Sequence, residues 1–271
     1  MKTRAGPHAS PLLRGLAAAG PVLAVALLAL AAWHLLAATV YASKAYLLPG
    51  PLDVAAAVVE NAGDLVRATA VTLKEATLGY LLAIVSGIAL AALLSQSRLL
   101  ERSIYPYAVL LQTVPVVAIA PLIVLWFGYN ELSVVIISFI MSLFPIVNNT
   151  LLGLRSTSTN LVELFTLHKA SRAVAFWKLR LPGALPHIIA GLRISAGLSV
   201  IGAIVGEQFF RQGQKPGIGI VMEQFRQKLR YPAMFGGLII AALLGITVFF
   251  VFSRLAKLVV GHWHESTRRG S

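Results

Sequence analysis

The sequence predicts an all-α, polytopic membrane protein with about six transmembrane helices. Of its 271 residues, 58% are hydrophobic and 12% are charged, and the mean hydropathy is +0.80. A soluble domain of this length usually carries roughly twice that share of charged residues. A helix crosses the hydrocarbon core with about 20 mostly apolar residues, so this length allows six such helices and modest loops. We therefore expect one transmembrane domain over residues 15–260, between a cytoplasmic N-terminus (1–14) and a cytoplasmic tail (261–271).

The first predicted helix is an apolar run from about Gly15 to Ala38, preceded by a short basic segment. A secretory signal peptide has similar flanks, and Val40-Tyr41-Ala42 would offer a cleavage site. The apolar region of a signal peptide usually has roughly 7–15 residues, whereas this run is longer than about 20. The length favours an uncleaved first helix.

Five further apolar runs complete the predicted six. A turn around Pro49-Gly50-Pro51 and a short amphipathic helix, Asp53 to Val66, come before them. The five runs cover residues 76–96, 106–127, 132–154, 189–206 and 234–258. A long polar and basic stretch, 155–188, separates the fourth run of the chain from the fifth.

The basic residues predict how these helices are oriented, because Lys and Arg gather on cytoplasmic loops. With a cytoplasmic N-terminus and six crossings, the inner segments hold 15 of the 23 Lys and Arg residues. These inner segments are 1–14, 97–104, 155–193 and 254 onward. One basic cluster opposes this orientation on the predicted outer side, with Arg211, Lys215, Arg226, Lys228 and Arg230.

The sequence lacks the residues that several classes of function require. The net charge is +13, but no basic run in a soluble segment is interleaved with aromatic residues, which argues against nucleic-acid binding. The chain has no cysteine, which excludes disulfides, thiolate chemistry and Cys-ligated metals. No HExxH, GxSxG or paired-carboxylate pattern lies in or beside a helix, and His262-Trp263-His264 is typical of a solvated tail. We therefore predict no catalytic residue and no metal site. The apolar runs also hold almost no ionisable residues, unlike those of a proton- or sodium-driven carrier.

The stretch 155–193 is long, basic and flanked by apolar helices. Its apolar residues fall roughly on one helical face: Leu164, Phe165, Leu167 and Ala170. Ala170-Ser171 is small enough for a tight turn, and we expect Leu181-Pro182-Gly183 to break the chain before it re-enters the membrane. This pattern predicts a helix–turn–helix that lies along the membrane and docks a soluble partner. An ordinary basic cytoplasmic loop is the alternative.

Several short motifs follow one another in a fixed order over about residues 45–260. They are Leu48-Pro49-Gly50-Pro51-Leu52-Asp53, Val114-Pro115, Ala120-Pro121-Leu122, Trp126-Phe127-Gly128, Phe144-Pro145-Ile146-Val147-Asn148-Asn149-Thr150, Leu181-Pro182-Gly183-Ala184-Leu185-Pro186, Gly191-Leu192-Arg193, and Val205-Gly206-Glu207 followed by Gly217-Ile218-Gly219. In this order they resemble the permease subunits of bacterial ATP-binding-cassette importers of the binding-protein-dependent type. The resemblance is to the branch that imports nitrate, sulfonates, taurine and thiamine-precursor pyrimidines.

The resemblance implies that the loop 155–188 is a coupling-helix loop that contacts a separate ATPase. The family pattern there runs Glu-Ala-Ala, then Gly, then Leu-Pro. This chain has Glu163-Leu164-Phe165 and Lys169 in place of the first two parts, so the geometry of the turn is left open. The residues that match the family pattern and take its coupling role are Glu163, Ala170, Ser171, Arg172, Leu181, Pro182 and Gly183.

The resemblance also implies partners in the bacterial inner (cytoplasmic) membrane. Two permease subunits, identical or different, would form the path, ATPase subunits would bind ATP, and an extracytoplasmic solute-binding protein would deliver the solute. The chain has no GxxxxGK[ST] phosphate loop, so we expect no cofactor of its own and no enzyme activity. The motifs favour a pyrimidine or flavin precursor as solute, with a sulfonate or nitrate-type anion as the alternative. The alternative functions are a membrane anchor or scaffold that recruits a soluble partner, and a secondary carrier.

Three features inside the runs are expected to shape the path. A small-residue face on the fifth run packs within one bundle or against a second permease: Ser195, Ser199, Gly202 and Gly206. Gln112, Pro115 and Asn148 line the path, or a bend beside Gln112 only packs a kinked helix. Glu207, at the outer end of the fifth run, pairs with Arg211 one turn on as a gate, or is a solvated helix end.

Overall fold

A computed structural model describes residues 11–44, 46–209 and 216–260, so the predicted tail and most of the predicted N-terminal segment lie outside these ranges. Every regular element within them is a helix, which confirms the all-α class. The α-helices are α1 (Pro11–Ala38), α2 (Pro51–Glu60), α3 (Ala62–Ser95), α4 (Arg98–Thr113), α5 (Val116–Phe127), α6 (Glu131–Arg155), α7 (Thr159–Leu167), α8 (Arg172–Ala175), α9 (Leu181–Gln208), α10 (Ile218–Gln227) and α11 (Tyr231–Val260). A 3-10 turn, Ala42–Lys44, follows α1, and a π-helical turn, Phe176–Arg180, joins α8 to α9.

Within the described ranges, five helical segments are long and apolar enough to cross a membrane. They are Gly20–Ala38, Ala62–Ser95, Glu131–Arg155, Arg172–Gln208 and Tyr231–Leu255. A further apolar helix, α5, has 12 residues and is about 18 Å long, shorter than a hydrocarbon core of about 30 Å. The prediction of about six apolar helices is confirmed, with one of them too short to span alone. Their orientation stays a prediction.

The third predicted run, 106–127, is two helices rather than one bent helix. α4 ends at Thr113 and α5 begins at Val116. Between them Val114 is extended, with φ −73° and ψ 123°, and Pro115 has φ −58° and ψ 121°. A proline disfavours helical backbone at the residue before it and has no N–H to continue the helical hydrogen bonds. The run is therefore interrupted at Val114-Pro115.

The short helix predicted over Asp53–Val66 ends earlier than expected. α2 ends at Glu60, where the Asn61 side-chain amide donates to the Ala57 carbonyl oxygen at 2.6 Å. Such a side-chain bond satisfies a carbonyl at the end of a helix. α3 then begins at Ala62 and continues for 34 residues, so the second long helix starts well before residue 76.

The predicted break at Leu181-Pro182-Gly183 is wrong. The chain is helical from Arg172 to Gln208 through α8, the π-helical turn and α9. At the π-helical turn the Leu181 N–H donates to the Phe176 carbonyl oxygen, one residue further back than in an α-helix. Pro182 follows in the first turn of α9, where a missing N–H is best tolerated. The stretch 155–188 is therefore part loop and part the beginning of a long helix.

The helices form two compact units. The smaller unit comprises Met1–Asn61 and Phe225–Gly236. Within it the Trp33 indole N–H donates to the Pro49 carbonyl oxygen at 2.9 Å, and Arg230 forms an ion pair with Glu60 at 2.8 Å. The larger unit, Ala62–Gln224 and Gly237–Ser271, is built on three mutually packed helices, α3, α6 and α9.

The small-residue face of α9 packs against α6. All four of its residues are buried: Ser195, Ser199, Gly202 and Gly206. The Ser195 hydroxyl donates to the Ser142 carbonyl oxygen at 2.7 Å, and a Cβ added at Gly202 would lie 2.8 Å from the Ser138 Cα. The missing side chain lets the two backbones approach closely, as small residues do between membrane helices. Within this chain, α6 therefore covers the face.

Candidate functional site

The turn between α7 and α8, residues His168–Ser171, has a defined hydrogen-bonded geometry. Lys169 is in the left-handed conformation, with φ 52°. Its N–H donates to the Thr166 carbonyl oxygen at 2.9 Å, and the Ala170 N–H donates to the Phe165 carbonyl oxygen at 3.0 Å. These two bonds form a Schellman motif, which ends a helix and usually has glycine at the left-handed position. Ser171 then caps α8, because its hydroxyl oxygen accepts the Val174 N–H at 3.3 Å.

Lys169 occupies the position at which the resemblance implies glycine, and its left-handed conformation is one that glycine adopts readily. A glycine adopts φ near 52° without steric cost, whereas a residue with a Cβ loses about 1 kcal/mol there. The turn nevertheless closes with lysine in place, and the Lys169 side chain is exposed. The substitution therefore changes the stability of the turn rather than its path.

We expect Lys169→Gly to raise the hydrogen-exchange protection of the Ala170 amide about fivefold, because the relief of about 1 kcal/mol stabilises the closed turn. Hydrogen exchange of the purified chain, resolved at this peptide by mass spectrometry, measures the change. Lys169→Ala is the matched control, since it removes the charge but keeps the Cβ. An equal gain in protection for Lys169→Ala would contradict the backbone explanation.

The α7–α8 turn is surrounded by exposed apolar side chains. α7 has no buried residue, and Leu167 and Trp177 are 79% and 66% exposed. Glu163 and Arg172 are also exposed, on either side of the turn. Apolar side chains rimmed by charged ones are typical of a surface that docks a protein.

The structure separates the predicted coupling residues into two groups. Glu163, Ala170, Ser171 and Arg172 lie at or beside the turn. The second group, Leu181-Pro182-Gly183, begins nine residues after Arg172 on the same continuous helix. The two positions are therefore separated by about 14 Å along the helix axis. Leu181 packs there against an apolar cluster that contains Leu154 of α6. Leu181 is therefore placed to anchor the helix, and the second group does not form the turn.

A cavity of about 200 Å³ lies where the α4–α5 interruption meets α6 and α9. Its lining residues are Gln112, Val114, Val116, Ile119, Ile140, Met141, Phe144, Pro145 and Leu198. Of these lining residues, Gln112 contributes a polar side chain and Phe144 an aromatic ring, and no lining residue is charged. The cavity can therefore hold a small uncharged group and offer it one amide.

The three predicted path residues do not all meet at this cavity. Gln112 lines it, and Pro115 lies at the interruption between the lining residues Val114 and Val116. Asn148 is engaged elsewhere, because its side-chain oxygen accepts the Tyr105 hydroxyl at 2.7 Å and so joins α6 to α4.

Glu207 is completely buried, so a solvated helix end does not describe it. Its Oε1 accepts the Thr72 hydroxyl at 2.6 Å, and its Oε2 accepts the Gly219 N–H at 2.6 Å. The Thr72 oxygen in turn accepts the Ile218 N–H at 2.8 Å. We call these four residues the Glu207 network. It joins α3, α9 and the first turn of α10, where free N–H groups favour a carboxylate. Arg211 lies outside the described residues, so its pairing with Glu207 stays a prediction.

The glycines of Gly217-Ile218-Gly219 make room for this network. A Cβ added at Gly217 would overlap the Glu207 carboxyl group. A Cβ added at Gly219 would lie 2.6 Å from the Ile204 carbonyl oxygen and 3.0 Å from Glu207 Oε2. The sequence motif Val205-Gly206-Glu207 followed by Gly217-Ile218-Gly219 is therefore a single structural site.

Two residues that lie beside Glu207, Thr72 and Glu75, were not predicted from the sequence. Glu75 is 6% exposed, its carboxyl group lies beside that of Glu207, and its Oε2 has no hydrogen-bond partner among the described residues. The second apolar run was predicted to begin at residue 76, so both residues lay outside it. The signal that could have found them is their spacing of three, which places both on one face of a helix.

Comparisons with known proteins agree on the kind of protein that this chain resembles. A profile of the family described as binding-protein-dependent transport system inner membrane component matches residues 79–263. The formylaminopyrimidine transport permease protein ThiX of Halalkalibacterium halodurans is 36% identical over 216 residues, which cover 79% of this chain and 85% of that protein. The aliphatic sulfonates transport permease protein SsuC of Bacillus subtilis is 31% identical over 226 residues, which cover 82% of this chain and 80% of that protein. A crystal structure of an amino acid ABC transporter with histidines has the same fold, with a TM-score of 0.59 and 19% identity, covering 74% of this chain and 95% of that chain.

Proposed function

This chain belongs to the family of binding-protein-dependent transport system inner membrane components, and on that premise we propose which solute it carries and how it couples to ATP. It is a transmembrane permease subunit of an ABC importer, forms the solute path in the inner membrane, and acts with an ATPase and a solute-binding protein. In our proposal a second permease subunit completes the path. ATP is bound and hydrolysed by the ATPase, and this chain carries no catalytic step.

The proposed solute is a small, uncharged heteroaromatic compound. The observation that carries this proposal is the uncharged lining of the cavity at the α4–α5 interruption. A sulfonate or nitrate ion would lose its hydration there and find no opposite charge, which costs several kcal/mol. A flat neutral ring can stack on Phe144, and the Gln112 amide can both donate to it and accept from it.

The size of the cavity favours a single ring. Its volume of about 200 Å³ is below the roughly 300–1,000 Å³ of pockets that hold drug-sized ligands. A pyrimidine fits this limit better than a flavin does. The relative named for formylaminopyrimidine supports the same choice, and the relative named for aliphatic sulfonates represents the alternative.

We further propose that the α7–α8 turn docks the ATPase and that the helix from Arg172 to Gln208 carries its movement into the membrane. This helix has 37 residues and is about 55 Å long. The turn lies at its beginning, the α9 residue Leu198 lines the cavity, and Glu207 lies near its end. In this proposal, one continuous helix connects the surface that docks the ATPase with the path cavity and the Glu207 network.

The proposal is tested by uptake into proteoliposomes that contain this chain with its ATPase and solute-binding protein. We expect ATP-dependent uptake of a labelled aminopyrimidine and no uptake of an alkanesulfonate or nitrate. Gln112→Leu should lower the rate about fivefold, because a lost hydrogen bond is worth about 1 kcal/mol. Gln96→Leu, at an exposed glutamine outside the cavity, is the matched control and should transport normally.

Two results would overturn the proposal. Uptake of the sulfonate or nitrate in preference to the pyrimidine would refute an uncharged solute. Uptake that continues without ATP, driven by an ion gradient, would show a secondary carrier instead.

A further inference from the structure

A second cavity, outside the proposed path, lies where α4 begins and α6 ends. Its volume is about 500 Å³, and its lining residues are Arg98, Glu101, Arg102, Tyr105, Pro106 and Arg155. Neither the path cavity nor the Glu207 network uses any of these side chains. Three arginines thus meet in one concave surface of the larger unit.

The cavity has an excess of positive charge. Its carboxylate, that of Glu101, forms an ion pair with Arg155. In the described part of the chain, Arg98 and Arg102 form no ion pair, and both side chains are exposed. Two guanidinium groups are therefore available to an anion. A guanidinium matches the geometry of phosphate oxygens, because it can donate two parallel hydrogen bonds to them.

The surroundings of the cavity indicate where such an anion comes from. α4 starts directly after the long apolar helix α3, and Arg155 is the last residue of the long apolar helix α6. On α4, Leu99 follows Arg98 and is 74% exposed, and Tyr107, five residues after Arg102, is 69% exposed. Exposed leucine and tyrosine side chains on the same helix as arginines are typical of a helix at the membrane–water boundary. The cavity is therefore placed where the ends of two helices long and apolar enough to cross a membrane would meet the lipid phosphates.

We propose that this cavity binds the phosphate of an anionic phospholipid headgroup from the leaflet on the predicted cytoplasmic side, where α3 and α6 end. The Arg98 and Arg102 guanidiniums hold the phosphate, and the acyl chains lie outward along Leu99 and Tyr107. A bound lipid holds the beginning of α4, which the Glu101–Arg155 ion pair joins to the end of α6, before α7 and the α7–α8 turn. The anionic lipid content of the membrane would then influence how firmly that turn is held.

Native mass spectrometry of the purified full chain, with phosphatidylglycerol or phosphatidylcholine added, tests the proposal. We expect one phosphatidylglycerol to be retained and phosphatidylcholine to be lost. A basic residue near an anionic lipid surface contributes about fivefold in affinity, so Arg98→Gln with Arg102→Gln should weaken retention roughly 25-fold. Arg254→Gln, at an exposed arginine of α11 outside the cavity, should retain the lipid as the natural chain does.

Two further measurements distinguish loss of binding from loss of folding, and a lipid headgroup from free phosphate. Arg98→Lys with Arg102→Lys keeps the charge but loses the paired hydrogen bonds, so it should bind the lipid more weakly than the natural chain and more tightly than the double glutamine variant. Such intermediate retention separates loss of binding from loss of folding. Inorganic phosphate, added without lipid, probes a soluble source of the same group. Saturation by millimolar phosphate without any preference for phosphatidylglycerol would overturn the lipid assignment, and so would equal retention by the double glutamine variant.

Discussion

We expect Ala170→Trp to abolish ATP-dependent uptake while the chain still inserts into the membrane. Ala170 closes the α7–α8 turn through its N–H bond to the Phe165 carbonyl oxygen, and its small side chain is half-buried. An indole at this position overpacks the turn, which typically costs 1–3 kcal/mol. A transient interface with the ATPase would lose roughly 5- to 150-fold in affinity from such a change.

Uptake into proteoliposomes, together with co-purification of the ATPase on a tagged permease, measures this effect. Ala242→Trp, an identical substitution at an exposed alanine of α11, is the control for the added indole. Loss of both uptake and ATPase binding in Ala170→Trp alone is the expected pattern. Normal uptake at normal expression would show that this turn does not dock the ATPase.

We expect Gly217→Ala to disrupt the Glu207 network and to lower both the stability of the chain and its transport rate. The added methyl group would occupy the position of the Glu207 carboxyl group, which must then leave its two donors. A hydrogen bond is worth about 0.5–1.5 kcal/mol, and each displaced donor that stays buried without a partner costs about 1–3 kcal/mol. The apparent melting temperature of the purified chain should fall by several degrees.

A double-mutant cycle with Glu207→Ala tests this explanation, because the cycle isolates the interaction between the two positions. In the Glu207→Ala background no carboxyl group is left to displace, so Gly217→Ala should cost almost nothing further. Gly197→Ala is the matched control on α9, since a Cβ there meets no atom within 4 Å. Additive losses from Gly217→Ala and Glu207→Ala would contradict a direct clash between them.

The amino-acid sequence predicted the membrane class, the approximate number of apolar helices and the family. These depend on composition, on the length of apolar runs and on the order of short motifs, which are properties of the chain itself. The tight turn at Ala170-Ser171 was also predictable, because small residues there follow a short apolar helix. The left-handed lysine before it was not, since Lys169 breaks the rule that glycine usually occupies such a position.

The tertiary structure decided which residues meet. Thr72 and Glu207 are 135 positions apart and Tyr105 and Asn148 are 43 apart, and no local pattern relates either pair. The helix also continues through Pro182, where the sequence alone predicted a break, and a widened π-helical turn directly precedes this proline. The length of an apolar run is a property of the sequence, so it can be determined without knowing the fold. The partners of a buried carboxylate depend on how α3, α9 and α10 pack, and only the folded arrangement contains that information.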